Sequence, residues 1–161
     1  MKLIGSIKES IKESVVDGPG VRLSVFLAGC PHECAGCHNE KTWDIESGEE
    51  HDEKRIADYL AARLKEGHYS GVTISGGDPF YQEKALSLML KALRGSIGDV
   101  DVWCYTGYMY EDLAERGAEP LIYIDVLVDG PYVEAFRDST IPFIGSSNQR
   151  IIDLSGRRKS N

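Results

Sequence analysis

Hydrophobic and polar residues alternate in several short segments of the chain and recur at helical spacing in others. Apolar residues that alternate or run together predict four β-strands, at Val21–Leu27, Val72–Ser75, Val100–Tyr105 and Ile122–Val128. Apolar residues three and four positions apart predict helices over about 53–66, 81–94 and 111–116. A last short strand is predicted at Arg150–Leu154, and the pattern of Gly5–Ser14 leaves a short helix and an extended stretch both open.

The order of these elements predicts an α/β fold. Strands that alternate with helices are typical of right-handed βαβ units and a mainly parallel sheet. At 161 residues the chain is too short for a closed barrel of eight such units, which takes about 250 residues. We therefore expect an open partial (β/α) barrel of parallel strands, formed by a single domain over residues 1–161.

The composition is that of an ordinary globular domain, with 42% apolar and 27% charged residues. The net charge of −8 argues against a nucleic-acid partner, and the lack of a run of 18 apolar residues argues against a membrane span. The residues Met1–Ser6 lack the apolar stretch of a signal peptide, so we expect a cytoplasmic protein. The basic residues Arg157–Lys159 are expected to form a solvated end.

Three of the four cysteines lie close together, with the spacing C-x3-C-x2-C of Cys30, Cys34 and Cys37. Three such thiolates can hold three corners of a metal centre and leave the fourth open to a small molecule. A zinc site would need His32 or His38 as its fourth ligand, and a redox dithiol of Cys34 and Cys37 would leave Cys30 without a role. The pattern favours an iron–sulfur cluster over both alternatives.

Further motifs directly follow the predicted strands. Because the carboxyl ends of parallel strands share one edge of a sheet, we expect these motifs to lie beside the cysteines. They are Gly76–Pro79, Thr106–Tyr108 and Asp129–Pro131. Glycines at a strand end let the backbone approach a ligand, and carbonyls there can accept hydrogen bonds from an ammonium group. A simple connection, in which Asp78 caps the following helix, is the alternative.

Other candidate residues allow two interpretations each. Tyr105 and Tyr108 suit stacking on an adenine ring, but aromatic packing at a strand end is as common. Arg22 could offer its guanidinium group to a carboxylate or form a surface salt bridge. Cys104 alternates within an apolar strand, so we expect it to be a small buried hydrophobic residue.

Taken together, the motifs resemble the radical S-adenosylmethionine enzymes, whose signature is C-x3-C-x2-C. The chain is similar to the glycyl-radical-enzyme activating proteins of that superfamily in Asp17–Arg22, Cys37–Asn39 and Thr42–Trp43. It resembles most narrowly the activating proteins of anaerobic (class III) ribonucleotide reductase, in Ser75–Pro79, Tyr105–Tyr108, Val126–Gly130 and Gly145–Arg150. The resemblance extends over nearly all of the chain from Asp17 to Asp153.

The resemblance implies two cofactors, a 4Fe–4S cluster and S-adenosyl-L-methionine. The implied cluster ligands are Cys30, Cys34 and Cys37, and the fourth iron would bind the amino and carboxylate groups of S-adenosylmethionine. The implied contacts to S-adenosylmethionine come from Gly36, Cys37 and His38 in the cysteine loop and from Gly76, Gly77 and Asp78 in the turn. Gly76 and Gly77 would meet its methionyl amine through their backbone, and Asp78 would assist.

The implied reaction is reductive cleavage of S-adenosylmethionine, followed by removal of a hydrogen atom from a glycine of the reductase. The electron would come from a flavodoxin-type donor, and no side-chain acid or base is required, so no catalytic residue is predicted. Three alternatives stay open: activation of another glycyl-radical enzyme of the pyruvate formate-lyase type, radical chemistry on a small molecule, and a zinc-stabilised binding module.

Overall fold

An eight-stranded sheet lies at the centre of the computed structural model, which describes residues 1–158. The strands are β1 (Lys2–Leu3), β2 (Ile11–Ser14), β3 (Arg22–Leu27), β4 (Glu49–Glu50), β5 (Gly71–Gly76), β6 (Val102–Tyr105), β7 (Val126–Asp129) and β8 (Arg150–Asp153). The helices are α1 (Ile7–Ser10), α2 (Glu53–Leu64), α3 (Glu83–Ile97), α4 (Tyr110–Glu115) and α5 (Ser155–Arg158).

The centre of the sheet is parallel and its flanks are antiparallel. The strand order is β4-β1-β3-β5-β6-β7-β8, and β2 pairs antiparallel with β3. The pairs β3–β5, β5–β6 and β6–β7 are parallel, whereas β1 and β8 join their neighbours antiparallel. The sheet has separate ends at β4 and β8 and does not close. The expected α/β fold with a parallel central sheet is therefore confirmed at this coarse level.

Alternation along the parallel strands gives the sheet two different faces. One face packs against α2 and α3 and carries the apolar core, which includes the fully buried side chains of Val25, Ile74, Cys104 and Leu127. The opposite face carries polar and aromatic side chains, including Ser24, Thr73, Ser75 and Tyr105. The expectation that Cys104 is a small buried hydrophobic residue is confirmed, and burial raises the pKa of its thiol well above its ordinary value.

The two long helices cover the apolar face because each presents a stripe of buried residues to it. Asp52 caps α2 by accepting a hydrogen bond from the Arg55 backbone N–H at 2.9 Å. The buried stripe of α2 consists of Ile56, Ala57, Leu60 and Ala61, and that of α3 includes Leu86, Met89, Leu90 and Leu93. Among residues 1–158, no helix is long and apolar enough to cross a membrane.

The predicted strand Ile122–Val128 begins too early. Residues Glu119–Ile122 form a short 3-10 helix with Pro120 in its first turn. The carbonyl of Tyr123 then accepts a hydrogen bond from the Arg94 Nη2 of α3 at 2.6 Å, which keeps it out of the strand ladder. Pairing as β7 starts only at Val126.

The first residues of the chain combine both conformations that the pattern left open. Ser6 and Glu9 form a capping box that begins α1, and extended backbone follows as β2. The strands β1 and β4 have two residues each, too few to show a period in the sequence. At the other end, Arg157 lies 5.1 Å from the ring centre of Tyr110, while Lys159 of the basic segment lies outside the described residues.

Candidate functional site

The cysteine loop, defined here as residues 28–38, leaves the carboxyl end of β3. Its cysteines Cys30, Cys34 and Cys37 are free and half-buried. Backbone hydrogen bonds hold the start of the loop: the Cys30 N–H donates to the carbonyl of Trp43 at 3.0 Å. The Cys37 N–H donates to the carbonyl of Cys34 at 3.1 Å and folds the C-x2-C segment into a turn. These backbone hydrogen bonds within the chain thus fix the conformation of the cysteine loop.

The three cysteines line one pocket, termed the cysteine pocket, with a volume of about 160 Å³. The carboxyl ends of the neighbouring parallel strands form the rest of its wall, which includes Gly76, Gly77, Asp78, Thr106, Gly107 and Gly130. The prediction that motifs after four different strands lie together is confirmed. Parallel topology explains this gathering, because each strand delivers its final residues to the same edge of the sheet.

Asp78 joins the segments that form the pocket. This side chain is only 1% exposed, and its Oδ1 accepts a hydrogen bond from the Phe80 backbone N–H at 2.9 Å, which caps the following 3-10 helix. Its Oδ2 accepts from the Gly107 N–H at 2.8 Å and lies 2.6 Å from His32 Nε2. The Thr106 hydroxyl lies 3.0 Å from both oxygens. The predicted cap is present, and the same carboxylate also holds the cysteine loop.

Gly76 and Gly77 lie where the end of β5 meets the start of the cysteine loop. Gly76 has a φ of +101°, and a Cβ there would overlap the backbone of Leu27. A Cβ on Gly77 would overlap the backbone of Gly29, whose carbonyl accepts the Asp78 N–H at 2.8 Å. Both glycines are therefore required for the chain to approach itself here. Their contact with a ligand stays a prediction.

A larger chamber, of about 660 Å³, lies beside the cysteine pocket. The two cavities share Cys37, Asn39, Ser75, Tyr105, Tyr132 and Gln149. The side of the chamber away from the sheet is mainly apolar and includes Val15, Val16, Ile141 and Phe143. Tyr105 holds that side in place, since its hydroxyl donates to the carbonyl of Phe143 at 2.6 Å. Burial raises the pKa of Tyr105, so its hydroxyl stays a donor.

The donors around the cysteine pocket suit an iron–sulfur cluster. The Asn39 backbone N–H donates to Cys37 Sγ at 3.3 Å, the kind of hydrogen bond that stabilises a thiolate bound to iron. Trp43 lines the pocket, and its indole Nε1 is buried without a hydrogen-bond partner in the described part of the chain. A sulfur atom in the pocket would offer that N–H an acceptor.

One candidate zinc ligand and one of the thiols have contacts that bear on metal binding. His32, one of the candidate zinc ligands, is instead bound to Asp78. Burial is the main reason that the pKa of the Cys30 thiol is raised, and a backbone hydrogen bond from His32 acts in the opposite direction. Iron binding therefore has to displace a proton from Cys30.

Comparison with known proteins agrees with this geometry. The family described as the 4Fe-4S single cluster domain matches residues 16–152, which contain all three cysteines. An anaerobic ribonucleoside-triphosphate reductase-activating protein of Vibrio cholerae serotype O1 is 38% identical over 143 residues, covering 85% of this chain and 90% of the relative. The chain belongs to this family of activating proteins. The prediction of a 4Fe–4S cluster rather than zinc is confirmed by the matching domain.

Other members of the family extend this likeness over most of both chains. The activating protein of Escherichia coli (strain K12) is 34% identical over 146 residues, covering 87% of this chain and 93% of the relative. That of Enterobacteria phage T4 is 34% identical over 138 residues, covering 84% and 86%. The family resemblance that the motifs indicated is therefore confirmed.

The structure brings most of the predicted site residues of this family member together. Cys30, Cys34, Cys37, Gly76, Gly77 and Asp78 all line the cysteine pocket. His38 lines the larger chamber, where its ring centre lies 6.0 Å from that of Tyr132. Gly36 lines neither of these two cavities; it has a φ of +77° and packs against Glu134. Contacts of these residues with S-adenosylmethionine stay predictions.

Two further predictions have clear structural outcomes. Arg22 forms a salt bridge within the chain, the second of its two interpretations, because its Nη1 lies 2.8 Å from Asp101 Oδ2. The guanidinium is fully buried, whereas the Asp101 side chain is 41% exposed. Tyr108 packs against the His32 ring, with ring centres 4.6 Å apart. That contact bears out aromatic packing at the strand end.

Sequence reasoning missed the roles of His32 and Tyr132. His32 was a candidate metal ligand by residue type alone, and its bond to Asp78 joins residues 46 positions apart. Tyr132 lines both cavities and is the third residue after the end of β7, following Gly130 and Pro131. The rule that sites form at the carboxyl ends of parallel strands was the signal that could have found Tyr132.

Proposed function

We propose that this protein activates an anaerobic ribonucleoside-triphosphate reductase by generating a glycyl radical on it. The observation that carries the proposal is the cysteine pocket, where three free thiols meet a glycine-rich strand end in a member of the activating-protein family. When bound there, a 4Fe–4S cluster with S-adenosylmethionine supplies the one-electron chemistry needed to remove a hydrogen atom from a glycine.

The residues of the pocket divide into two groups in this proposal. Cys30, Cys34 and Cys37, which line the pocket, would each bind one iron, and the fourth iron would be left to the amino and carboxylate groups of S-adenosylmethionine. The second group would bind S-adenosylmethionine from two sides: Gly76 and Gly77 from the strand end, next to Asp78, and Gly36 with His38 from the cysteine loop. No side chain is required to move a proton.

We assign the larger chamber to the glycine-bearing segment of the reductase. Its 660 Å³ is in the range of sites that hold a compact ligand or a few residues of peptide. Its wall is continuous with that of the cysteine pocket through Cys37 and Tyr105. The apolar residues Val15 and Phe143 at its outer side would keep water away from a reactive species.

The finer description of the protein belongs to the same proposal. The open sheet, with its polar face turned towards both cavities, supports a partial (β/α) barrel of the radical S-adenosylmethionine type in a single domain. A flavodoxin-type protein is proposed as the electron donor, and the cytoplasm as the location. The half-buried cysteines support the donor, because an electron has to reach the pocket from outside.

The test is anaerobic reconstitution of the full chain with iron and sulfide, followed by reduction in the presence of S-adenosylmethionine and an anaerobic ribonucleotide reductase. We expect a brown protein that cleaves S-adenosylmethionine and a glycyl doublet on the reductase by electron paramagnetic resonance. Cys34→Ser should lose cluster, cleavage and doublet together, because one iron loses its ligand. Cys104→Ser is the matched control, since Cys104 is buried on the opposite face of the sheet.

The outcomes separate the remaining alternatives. A colourless protein whose folding depends on zinc would overturn the proposal in favour of a binding module. Cleavage of S-adenosylmethionine without a doublet on the reductase would overturn the assignment of the partner, and a doublet on a pyruvate formate-lyase type protein would name another. Cys104→Ser is expected to retain iron, cleavage and doublet.

A further inference from the structure

The ring of His32 is enclosed by residues from two strand ends. Its Nε2 lies 2.6 Å from Asp78 Oδ2, and the side chain is 18% exposed. The ring of Tyr108 meets it edge-on, with centres 4.6 Å apart and an angle of 73° between the planes. A Cβ on Gly107 would lie 2.5 Å from the imidazole Cδ2. Because Gly107 has no Cβ, there is room for the His32 ring beside it.

The carboxylate of Asp78 has no acceptor capacity to spare. A carboxylate offers about four lone-pair directions, and Asp78 meets four donor groups. They are the N–H groups of Phe80 and Gly107, the hydroxyl of Thr106 and the ring nitrogen of His32. With 1% of the residue exposed, the carboxylate is enclosed by these donors, although Asp78 contributes to the wall of the cysteine pocket. A cofactor amine would have to displace one of these donors.

We propose that His32 is a positioning residue, which holds the cysteine loop against the ends of β5 and β6 through Asp78, and that Asp78 acts through this contact rather than by touching S-adenosylmethionine. The inference rests on the cysteine pocket as the cluster site of the proposed function, but not on the identity of the reductase. It revises the expected role of Asp78 from a cofactor contact to a support for the loop.

The position of His32 in the loop explains why its contact matters for the cluster. His32 lies two residues after Cys30 and two before Cys34, so fixing its side chain limits the movement of both thiols. The Tyr108 ring is itself supported, because the guanidinium of Arg116 lies 5.0 Å from its centre and pairs with Glu83 at 2.7 Å. The loop is thereby ordered before iron binds, which lowers the entropy lost on binding.

A double-mutant cycle between His32 and Gly107 tests the contact in the full chain. Gly107→Ala places a methyl group where the ring lies and displaces it, while leaving the chemistry of His32 and Asp78 unchanged. His32→Ala removes the ring and makes room for that methyl group. The double variant should therefore behave like His32→Ala alone, because the two residues act through one contact.

Two readouts need neither S-adenosylmethionine nor the reductase. The first is the rate at which the reconstituted protein loses iron to a chelator, which should rise about 10- to 100-fold in His32→Ala and in Gly107→Ala, as for other residues that support metal ligands. The second is hydrogen exchange in the iron-free protein, where the Cys37 amide should exchange faster. Both measurements would therefore still test this inference if the glycyl-radical proposal were wrong.

Conservative variants separate positioning from general damage. His32→Gln keeps an N–H donor of similar reach, so it should restore most of the iron retention that His32→Leu loses. Asp78→Asn should speed iron loss with little change in the KM for S-adenosylmethionine, whereas a direct contact would raise that KM at unchanged iron retention. Gly95→Ala, where a Cβ meets open space, is the matched control for Gly107→Ala. Additive effects in the double variant, or an unchanged loop in iron-free His32→Ala, would overturn the inference.

Discussion

Arg22 at the amino ends of the four parallel strands and Asp78 at their carboxyl ends are both buried charged side chains, but their surroundings differ. At the amino ends, the guanidinium of Arg22 donates to Thr73 Oγ1 at 2.8 Å and to Asp101 Oδ2 at 2.8 Å. At the carboxyl ends, Asp78 accepts hydrogen bonds from the cysteine loop and from the residues that follow β5 and β6. Both groups are satisfied and less than 2% exposed.

Arg22 and Asp78 differ in where their hydrogen-bond partners lie. Arg22 meets the framework, including the Trp103 ring at 5.5 Å, and it lines neither the cysteine pocket nor the larger chamber. The partners of Asp78 include pocket-lining residues, such as His32 and Gly107. A buried, fully bonded charge is therefore no sign of function by itself, whereas its position at the carboxyl ends of parallel strands is.

The largest effect on stability is expected at the amino ends. Arg22→Met removes a buried guanidinium and leaves the Val72 carbonyl, now 2.9 Å from Nη2, without that donor. We expect a loss of about 3 kcal/mol in the free energy of unfolding, at the lower end for a broken buried pair because Asp101 is partly exposed. Urea denaturation of the iron-free protein measures this loss.

If the two ends of the strands act independently, Arg22→Met should not change iron binding. Below the unfolding temperature, Arg22→Met should bind as much iron and sulfide as the unchanged protein. Arg55→Met is the matched control, since Arg55 is exposed on α2 without a described ion pair, and it should cost less than about 0.5 kcal/mol. Loss of iron binding in the folded Arg22→Met protein would show that the two ends are not independent.

The second effect is expected at the carboxyl ends and should combine stability with iron binding. Gly77→Ala forces a methyl group against the backbone of Gly29, next to the cysteine loop. We expect a cost of about 2 kcal/mol, typical of overpacking, together with faster loss of iron to a chelator. Thermal unfolding and the chelator assay measure the two quantities on the same sample.

A glycine in a helix provides the control for that substitution. Gly95 lies in α3 with open space where a methyl group would be added, so Gly95→Ala should stabilise the protein by about 0.5 to 1 kcal/mol. Its iron retention should not change. If Gly77→Ala lowered thermal stability without speeding the loss of iron, the carboxyl strand end would contribute only to the stability of the fold, as Arg22 does.

The sequence predicted those parts of this comparison that depend on local pattern or on topology. Alternation located β5 and β6 closely, and the topology of parallel strands then implied that Gly76 and Thr106 lie near the cysteines. The contacts of single side chains depend on distant partners instead: Arg22 meets Asp101 across 79 positions, and His32 meets Asp78 across 46. No local pattern in the sequence shows that Tyr123 lies outside β7; a hydrogen bond from Arg94 to its carbonyl keeps it out of the strand.

The smallest effect concerns the outer part of the carboxyl ends, beyond β7. Arg150 pairs with the buried Asp129 at the end of β7 and with the exposed Glu111 of α4, at 2.7 Å from Glu111 Oε2. Hydrogen bonds from Arg150 are the main reason that the pKa of Glu111 is lowered from 4.5 to about 2. The folded protein therefore binds fewer protons at Glu111 than the unfolded chain between these two values.

This difference fixes the sign of the pH dependence. The contribution of Glu111 is fully present above about pH 4.5 and is lost as the pH falls towards about 2. Glu111→Gln should be slightly less stable than the unchanged protein at neutral pH, and urea midpoints at successively lower pH should converge. The effect is small because Glu111 is exposed and screened by water. Glu115→Gln, an exposed change on the same helix, should show no such convergence. If the urea midpoints of Glu111→Gln and the unchanged protein still differed in acid, the charge of Glu111 would not be the source of its contribution.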